Sequence, residues 1–428
     1  MFTKKTIRDI DLKNKTVLLR TDYNVPLKKS QISDDYRITQ SLDTINYLIS
    51  QNCKIVICSH LGRPLDNKPD PTLSLFPVAK RLKELLNKNI EFTTDCIGQE
   101  VQNKITKLDN SNVLLLENLR FHKEEELNDP IFAEQLSKGS DIFIQDAFGV
   151  VHRSHASTSA ITKFLPSVSG LLLQKEVDTI TETISNPSRP LMTIVGGAKI
   201  ADKLEVLNQF IKISDILAIG GAMANTFLMA EGLNVGSSVI DREDMALARD
   251  ILDNTKKESR KRNFNFFLPF DAVVASDMKP NQKTRIVDWS SNVISDIENY
   301  PKRPPKSSFS IQSNEKILDI GPFSGAFYAG LIQLSKTVVW NGTLGVTEVE
   351  SYKDPVGPFS HGTDLIIQAL VGDFGAKPFS LVGGGDTVGY IENRKLVNAF
   401  NHVSTGGGAS LELMSGHKLP GIENLLNR

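Results

Sequence analysis

Four loops in the first half of the chain each carry cationic or hydrogen-bonding side chains directly after a short apolar run. Arg20-Thr21-Asp22-Tyr23-Asn24-Val25-Pro26 follows Thr16–Leu19, with Arg37 at the start of the next helical stretch. Ser59-His60-Leu61-Gly62-Arg63-Pro64 follows Lys54–Cys58, and Glu117-Asn118-Leu119-Arg120-Phe121 follows Asn112–Leu116. The stretch after Asp141–Gln145 holds His152, Arg153 and His155. The planar fork of arginine suits phosphate and carboxylate. A single such arginine is ordinary surface ion-pair material. Arg37, Arg63, Arg120 and Arg153 on successive loops, with His60, His152 and His155 beside them, read as a pocket for a small polyanion.

The second half uses glycine instead. The apolar run Leu191–Val195 ends in Gly196-Gly197-Ala198-Lys199, and the spacing predicts a helix from Lys199 through Asn208. Strand, glycine turn and helix start place free N–H groups and a partial positive charge at one point. Lys199 and Lys203, four apart, are expected on one helix face, reaching an anion at the turn. Further glycine turns are Gly220-Gly221, Asn341-Gly342-Thr343-Leu344-Gly345, Gly383-Gly384-Gly385-Asp386-Thr387 and Ser404-Thr405-Gly406-Gly407-Gly408. Glycine lets backbone approach phosphate closely, so these turns read as a second anion site built mainly from N–H groups. Asp386 is placed to meet a magnesium ion held on phosphates.

Other chemistries find less support. The P-loop pattern is absent, Cys58-Ser59-His60 lacks the G-x-S-x-G elbow, and no H-E-x-x-H pattern announces zinc. Gly383, Gly385 and Gly389 form only a loose relative of a dinucleotide fingerprint, late in the chain. The net charge of −1 carries no excess of basic residues that would argue for nucleic acid or a membrane surface. No apolar run approaches membrane-spanning length, and no secretory signal opens the chain. Cys53, Cys58 and Cys96 fit a reducing cytoplasm, and the odd spacing of Cys53 and Cys58 on one strand points them to opposite faces.

The elements that must position these loops alternate along the chain. Strands are expected at the runs already named and at Ile216–Ile219, Phe266–Leu268, Thr337–Trp340 and Phe379–Val382. Helices are expected over Tyr36–Ser50, Leu73–Asn87, Gly98–Leu108, Pro130–Lys138 and Leu171–Ser185, the last ended by Asn186-Pro187. Alternation of this kind is the signature of parallel α/β sheets. At 428 residues two domains are the default. The fold expected is α/β, two doubly wound, Rossmann-like parallel sheets joined by a helix. The divisions are 1–170, a connecting helix and hinge over 171–187, and 188–405. The proline-rich stretch Trp289 to Ser313 is expected to be a surface excursion without core.

Taken in order, the strings quoted above, with Trp340-Asn341-Gly342 and the run through Glu412, resemble the phosphoglycerate kinase family from end to end. The resemblance implies transfer of a phosphoryl group between 1,3-bisphosphoglycerate and ADP, giving 3-phosphoglycerate and Mg-ATP, across a cleft between two domains. It implies that Asp22, Tyr23, Asn24, Arg37, His60, Leu61, Gly62, Arg63, Arg120 and Arg153 hold the glycerate. Gly197, Lys203, Gly221, Asn341, Glu348, Gly384, Gly385, Asp386 and Thr387 would hold the nucleotide. Arg37, Lys199, Gly385 and Gly408 would act on the migrating phosphoryl, with hinge closure bringing the substrates together. The tail 406–428 would pack on the first domain of a cytoplasmic monomer. Three positions depart from the usual family pattern: Thr343 stands for a proline, Thr347 for a phenylalanine and Phe323 for a lysine.

Overall fold

A computed structural model describes residues 2–28, 31–289, 310–351 and 356–428. They fall into two compact units, Met1–Thr181 with Thr405–Arg428, and Glu182–Ser404.

In the first unit the strands are β1 (Thr16–Arg20), the short pair β2 (Leu27–Lys28) and β3 (Gln31–Ile32), β4 (Lys54–Cys58), β5 (Ile90–Phe92), β6 (Val113–Leu115), β7 (Ile142–Gln145) and β8 (Ser167–Ser169). Six of them form one sheet in the order β5-β6-β4-β1-β7-β8, parallel throughout. The strands read as unbroken apolar runs because both faces are covered. Val17, Leu19, Ile55, Ile57, Val113 and Leu115 enter one core, while Leu18, Val56, Cys58, Leu114 and Phe143 enter the other. Cys53 and Cys58 lie in different cores, and all three cysteines are free. Arg20 is level with Cys58 on one side and Gln145 on the other, so the polar loops open at one sheet edge.

The helix expected over Tyr36–Ser50 is two helices, Tyr36–Gln40 and Leu42–Ser50. They break at Ser41, whose hydroxyl donates back to the Ile38 carbonyl at 2.8 Å, a bond that bends helices. The tail from Thr405 threads back through this unit. The Lys5 N–H donates to the Leu426 carbonyl at 2.7 Å, and the Gly421 N–H to that of Val151 at 2.8 Å. The fully buried Glu176 accepts from the Thr405 N–H and hydroxyl at 2.7 and 2.8 Å.

The second unit repeats the plan. Its strands are β9 (Leu191–Val195), β10 (Ile216–Ile219), β11 (Asn265–Phe267), β12 (Asp271–Ala275), β13 (Arg285–Asp288), β14 (Lys316–Ile320), β15 (Thr337–Asn341), β16 (Phe379–Gly383) and β17 (His402–Val403). The parallel sheet runs β11-β10-β9-β15-β16-β17, and β13-β12-β14 form a small antiparallel sheet. Register brings Asn341 level with Val195 and Gly383, so the glycine turns share one edge. Residues 290–309 of the proline-rich stretch lie outside the described residues. Its two ends are not coreless: Trp289 and Ile311 pack with Ala272, Val274 and Val287, because they flank the buried side of the small sheet.

Removing Glu176 as an acceptor leaves the Thr405 N–H buried without its partner, which costs ~1–3 kcal/mol. Glu176→Ala should speed amide exchange across residues 405–428 while leaving Leu191–Val195 unchanged. Equal acceleration in both would show that Glu176 does not specifically anchor the tail.

Candidate functional site

In the first unit the arginine loops enclose a cavity of about 300 Å³. Asp22, Asn24, Arg37, His60, Gly62, Arg63, Arg120, His152, Arg153 and the turn Gly406–Gly408 line it. Asp22 binds Arg37 through Oδ2, accepts the Asn24 N–H at 3.1 Å through Oδ1, and lies 3.9 Å from His60 Nδ1. Burial alone would raise its carboxyl, but the guanidinium groups of Arg37 and Arg20 outweigh that and hold it at about 2. Asn24 Oδ1 accepts from the Gly62 N–H at 2.8 Å, and Arg120 Nη1 donates to the Gly62 carbonyl at 2.6 Å. These bonds tie three loops into one wall. Burial depresses His60 well below the usual histidine range, and burial with neighbouring arginines takes His155 to about 4. Both rings are therefore neutral near pH 7, and the positive charge here belongs to arginine.

Tyr23 and Leu61 are not brought to this wall. The Tyr23 side chain is core, its hydroxyl 2.9 Å from Ser41 Oγ, and its N–H donates to Ser59 Oγ at 2.8 Å. Leu61 is core as well, and its N–H donates to Asn118 Oδ1 at 3.1 Å. Alternation along the loop turns both inward. Sequence reasoning left Arg20 without a role at the site. It lies fully buried below the cavity, donating to Ser157 Oγ at 2.8 Å, with His60 Nδ1 at 3.3 Å and the Glu125 carboxylate at 4.0 Å. The signal was its position as the last residue of an otherwise apolar strand.

The second unit holds a cavity of about 200 Å³ at its glycine edge. Gly197, Gly221, Glu348 and Asp386 line it beside an apolar wall that includes Leu228, Val239, Met278 and Leu318. The turns beneath pack backbone on backbone. A Cβ on Gly196 would meet the Thr343 carbonyl at 2.0 Å, and one on Gly342 the Gly196 carbonyl at 2.3 Å. Lys203 Nζ sits under these turns, donating to the Gly196 carbonyl at 2.6 Å and to Asn341 Oδ1 at 2.7 Å. Burial lowers its ammonium to about 8. Asn341 and Thr387 also work below the surface. Thr387 Oγ1 accepts from the Gly342 N–H at 2.8 Å, and Asn341 Nδ2 is buried without a hydrogen bond among the described residues.

The two lysines do not share a helix face. Asp244 Oδ2 accepts the Ile200 and Ala201 N–H groups at 2.9 and 3.0 Å, the chain tightens into a 3₁₀ turn over Ala201–Lys203, and the α-helix starts only at Leu204. Lys199 stays outside, 59% exposed, 3.3 Å from Asp241. Gly384 caps the helix Gly385–Asn393, which carries Asp386 in its first turn, and Gly408 opens the helix Gly408–Met414. Asp319, absent from the sequence reading, is buried against the second cavity and accepts the Ile320 and Gly362 N–H groups at 2.9 Å each. Burial raises its carboxyl to about 8.

Parallel sheets whose carboxyl edges bear an arginine cavity and a set of glycine turns over a buried lysine define a doubly wound α/β protein that handles phosphate. The phosphoglycerate kinase family model matches residues 7–417. The phosphoglycerate kinases of Pelotomaculum thermopropionicum and Aquifex aeolicus are 40% and 41% identical, each alignment covering 99% of this chain and 100% and 99% of the relative. Solved phosphoglycerate kinase structures from Coxiella burnetii and Pyrococcus horikoshii superpose with TM-scores of 0.78 and 0.80 at 33% and 29% identity. The first covers 98% of both chains, and the second 99% of this chain and 98% of the other. The chain belongs to the phosphoglycerate kinase family. Its activity is that family's glycolytic phosphoryl transfer between 1,3-bisphosphoglycerate and ADP, giving 3-phosphoglycerate and ATP.

Asp319 gives stability a pH dependence of defined sign. A carboxyl whose folded value of about 8 exceeds its ordinary 3.8 favours the fold while protonated. That contribution is present on the acid side and is lost as pH rises towards about 8. Asp146, pushed up to about 7 by burial, acts in the same direction. Asp319→Asn should flatten the fall in Tm between roughly pH 5 and 8. An unchanged slope would mean that Asp319 is ionised in the folded protein.

Proposed function

We propose that the arginine cavity holds the glycerate and the glycine-edge cavity holds the nucleotide. The observation that carries this reading is the contrast between them: one is walled by guanidinium groups and carboxylate, the other by glycine backbone and apolar side chains. Arg63, Arg120 and Arg153 neutralise the substrate's phosphate and carboxylate, and Asp22 and Asn24 accept from its hydroxyl. Gly197, Gly221 and Glu348 flank the nucleoside. Lys203, Asn341 and Thr387 hold the turns that meet its phosphates, with Gly384 at the following helix start. Phe323, where the family usually has a lysine, instead packs its ring 5.7 Å from that of Phe270.

The acceptor oxygen is already an anion in either direction, so no general base is required. Catalysis consists of positioning and charge stabilisation. Arg37 meets the migrating group from one side and Lys199 from the other, with the N–H groups at Gly385 and Gly408 adding donors. Lys199 is free to do this because an exposed ion pair with Asp241 is weak. The transfer requires the two substrates to meet, so hinge closure about the helix Leu171–Ser185 belongs to this reading.

Asp386 stands on the cavity wall with no hydrogen bond or ion pair among the described residues, one carboxylate beside a phosphate site. That donor set fits magnesium, which takes one or two carboxylates with substrate phosphates and water. When bound, magnesium offsets the charge of the nucleotide phosphates. The reading also takes the enzyme to be a cytoplasmic monomer. The three free cysteines support the reducing compartment, and among the described residues no helix is long and apolar enough to cross a membrane.

The direct test is a coupled assay with 3-phosphoglycerate and Mg-ATP. Arg37→Ala should lower kcat by ~10²–10³-fold; because Arg37 also compensates the buried Asp22 carboxylate, Tm is measured alongside, and a folded, fully active variant removes Arg37 from the chemistry. A Cβ on Gly385 meets nothing within 4 Å and one on Gly408 only His152 at 3.5 Å. Gly385→Ala and Gly408→Ala should therefore fold normally; alanine keeps the N–H, so a loss of turnover reports a methyl group in the path of the phosphoryl group, and full activity in both would contradict a close approach at these turns. ADP affinity should fall steeply in Lys203→Ala and little in Lys199→Ala; matching losses contradict that division.

A further inference from the structure

The loop that follows β5 and the turn that follows β6 bring together three side chains that the phosphoryl transfer does not use. Asp95, Cys96 and His122 each offer one ligand atom, and these atoms all lie within 4.8 Å of one another. His122 Nε2 is 2.7 Å from Asp95 Oδ1. The Cys96 side chain is buried, and its sulfur is in no disulfide. Sequence spacing hides the group, because 25 residues and a helix separate Cys96 from His122.

We propose that Asp95, Cys96 and His122 form a site for a borderline-soft divalent cation of the zinc or cobalt type, with water as fourth ligand. A thiolate, an imidazole and a carboxylate suit such an ion, whereas magnesium prefers an all-oxygen shell. Metal–ligand bonds of ~2.0–2.3 Å put neighbouring tetrahedral ligands roughly 3.5 Å apart. The present spacing brackets that value, from the 2.7 Å Asp95–His122 pair to the 4.8 Å limit for the group. The exposure pattern fits an open site. Cys96 closes the inner side, while the side chains of Asp95 and His122 are 51% and 26% exposed and leave the outer position to solvent.

The loop is already held in shape. Asp95 Oδ1 accepts the Cys96 N–H at 2.6 Å, Thr93 Oγ1 donates to the Asp95 carbonyl at 2.6 Å, and the His122 ring lies 5.3 Å from that of Phe132. An ordinary Asp–His hydrogen bond accounts for two members of the group but not for the thiol brought within 4.8 Å of both. On binding, the thiol proton and the proton shared by Asp95 and His122 pass to solvent, and the ion takes their place. His122 directly follows the turn Leu119–Phe121, which carries Arg120, so an ion there ties down the turn behind the arginine cavity.

The test uses the full chain freed of metal with a chelator and titrated with Co²⁺. One equivalent should produce thiolate-to-cobalt charge-transfer absorption in the near ultraviolet. Zn²⁺ should abolish the band, and a large excess of Mg²⁺ should leave it. His122→Gln should weaken Co²⁺ binding at least about tenfold, and Cys96→Ser should remove the band. Zn²⁺ should also raise the Tm of the parent chain and not that of His122→Gln. Absence of the band, its displacement by Mg²⁺, or an undiminished band in His122→Gln would each overturn the site. His122 is partly exposed, so its variant decides the matter even if Cys96→Ser fails to fold.

Discussion

A guanidinium with almost no access to water lies under the arginine cavity, and the cavity's shape follows from satisfying it. Arg20 ends an apolar strand and is 1% exposed. Its charge is met by Glu125, and its donors by Ser157 and the Thr21 carbonyl, with His60 close by. Glu125 in turn accepts the Ser157 N–H and hydroxyl at 2.9 and 2.6 Å. Breaking such a buried pair by removing one partner costs ~3–5 kcal/mol, because the remaining charge is left uncompensated. The same charge adds to the field that keeps Asp22 ionised, behind Arg37 itself, and Asp22 holds Arg37 at the cavity wall.

The second unit solves the matching problem with backbone. Its turns approach so closely that a methyl group on Gly196 or Gly342 would overlap a carbonyl. Side chains are excluded from the layer where phosphate would meet N–H groups, and Lys203 is driven beneath it. The glycines serve the fold before they serve a ligand. Any phosphate contact they make comes with a turn that already had to be glycine.

The strands buried on both faces were legible as apolar runs, and Lys54–Cys58, Leu191–Val195 and Ile216–Ile219 have the bounds the sequence suggested. Ile90–Phe92, Ser167–Ser169 and His402–Val403 were not. Edge strands of two or three residues carry too little pattern to separate from loop. The convergence of Arg37, Arg63, Arg120 and Arg153 was legible because parallel topology sends successive loops to one edge. Inward and outward were not: the side chains of Tyr23 and Leu61, which the family resemblance places at the site, lie in the core, and Arg20 lies beneath the cavity. The separation of Lys199 from Lys203 depends on Asp244, more than forty residues away in the chain, whose carboxylate caps the turn between them. Local spacing cannot contain that information.

The charge states explain why this chemistry needs so many arginines and so few histidines. A general acid or base works best with a pKa near the operating pH. Here burial takes His60 and His155 far below it, leaving neutral rings, that of His60 3.3 Å from Arg20 Nη2. Arginine keeps its charge even when its surroundings disfavour it, as Arg120 shows while mostly enclosed. A reaction that moves a phosphoryl group between two anions requires charge that persists through the step and no proton acceptor. An arginine cavity whose cations persist and whose buried histidines stay neutral meets that requirement.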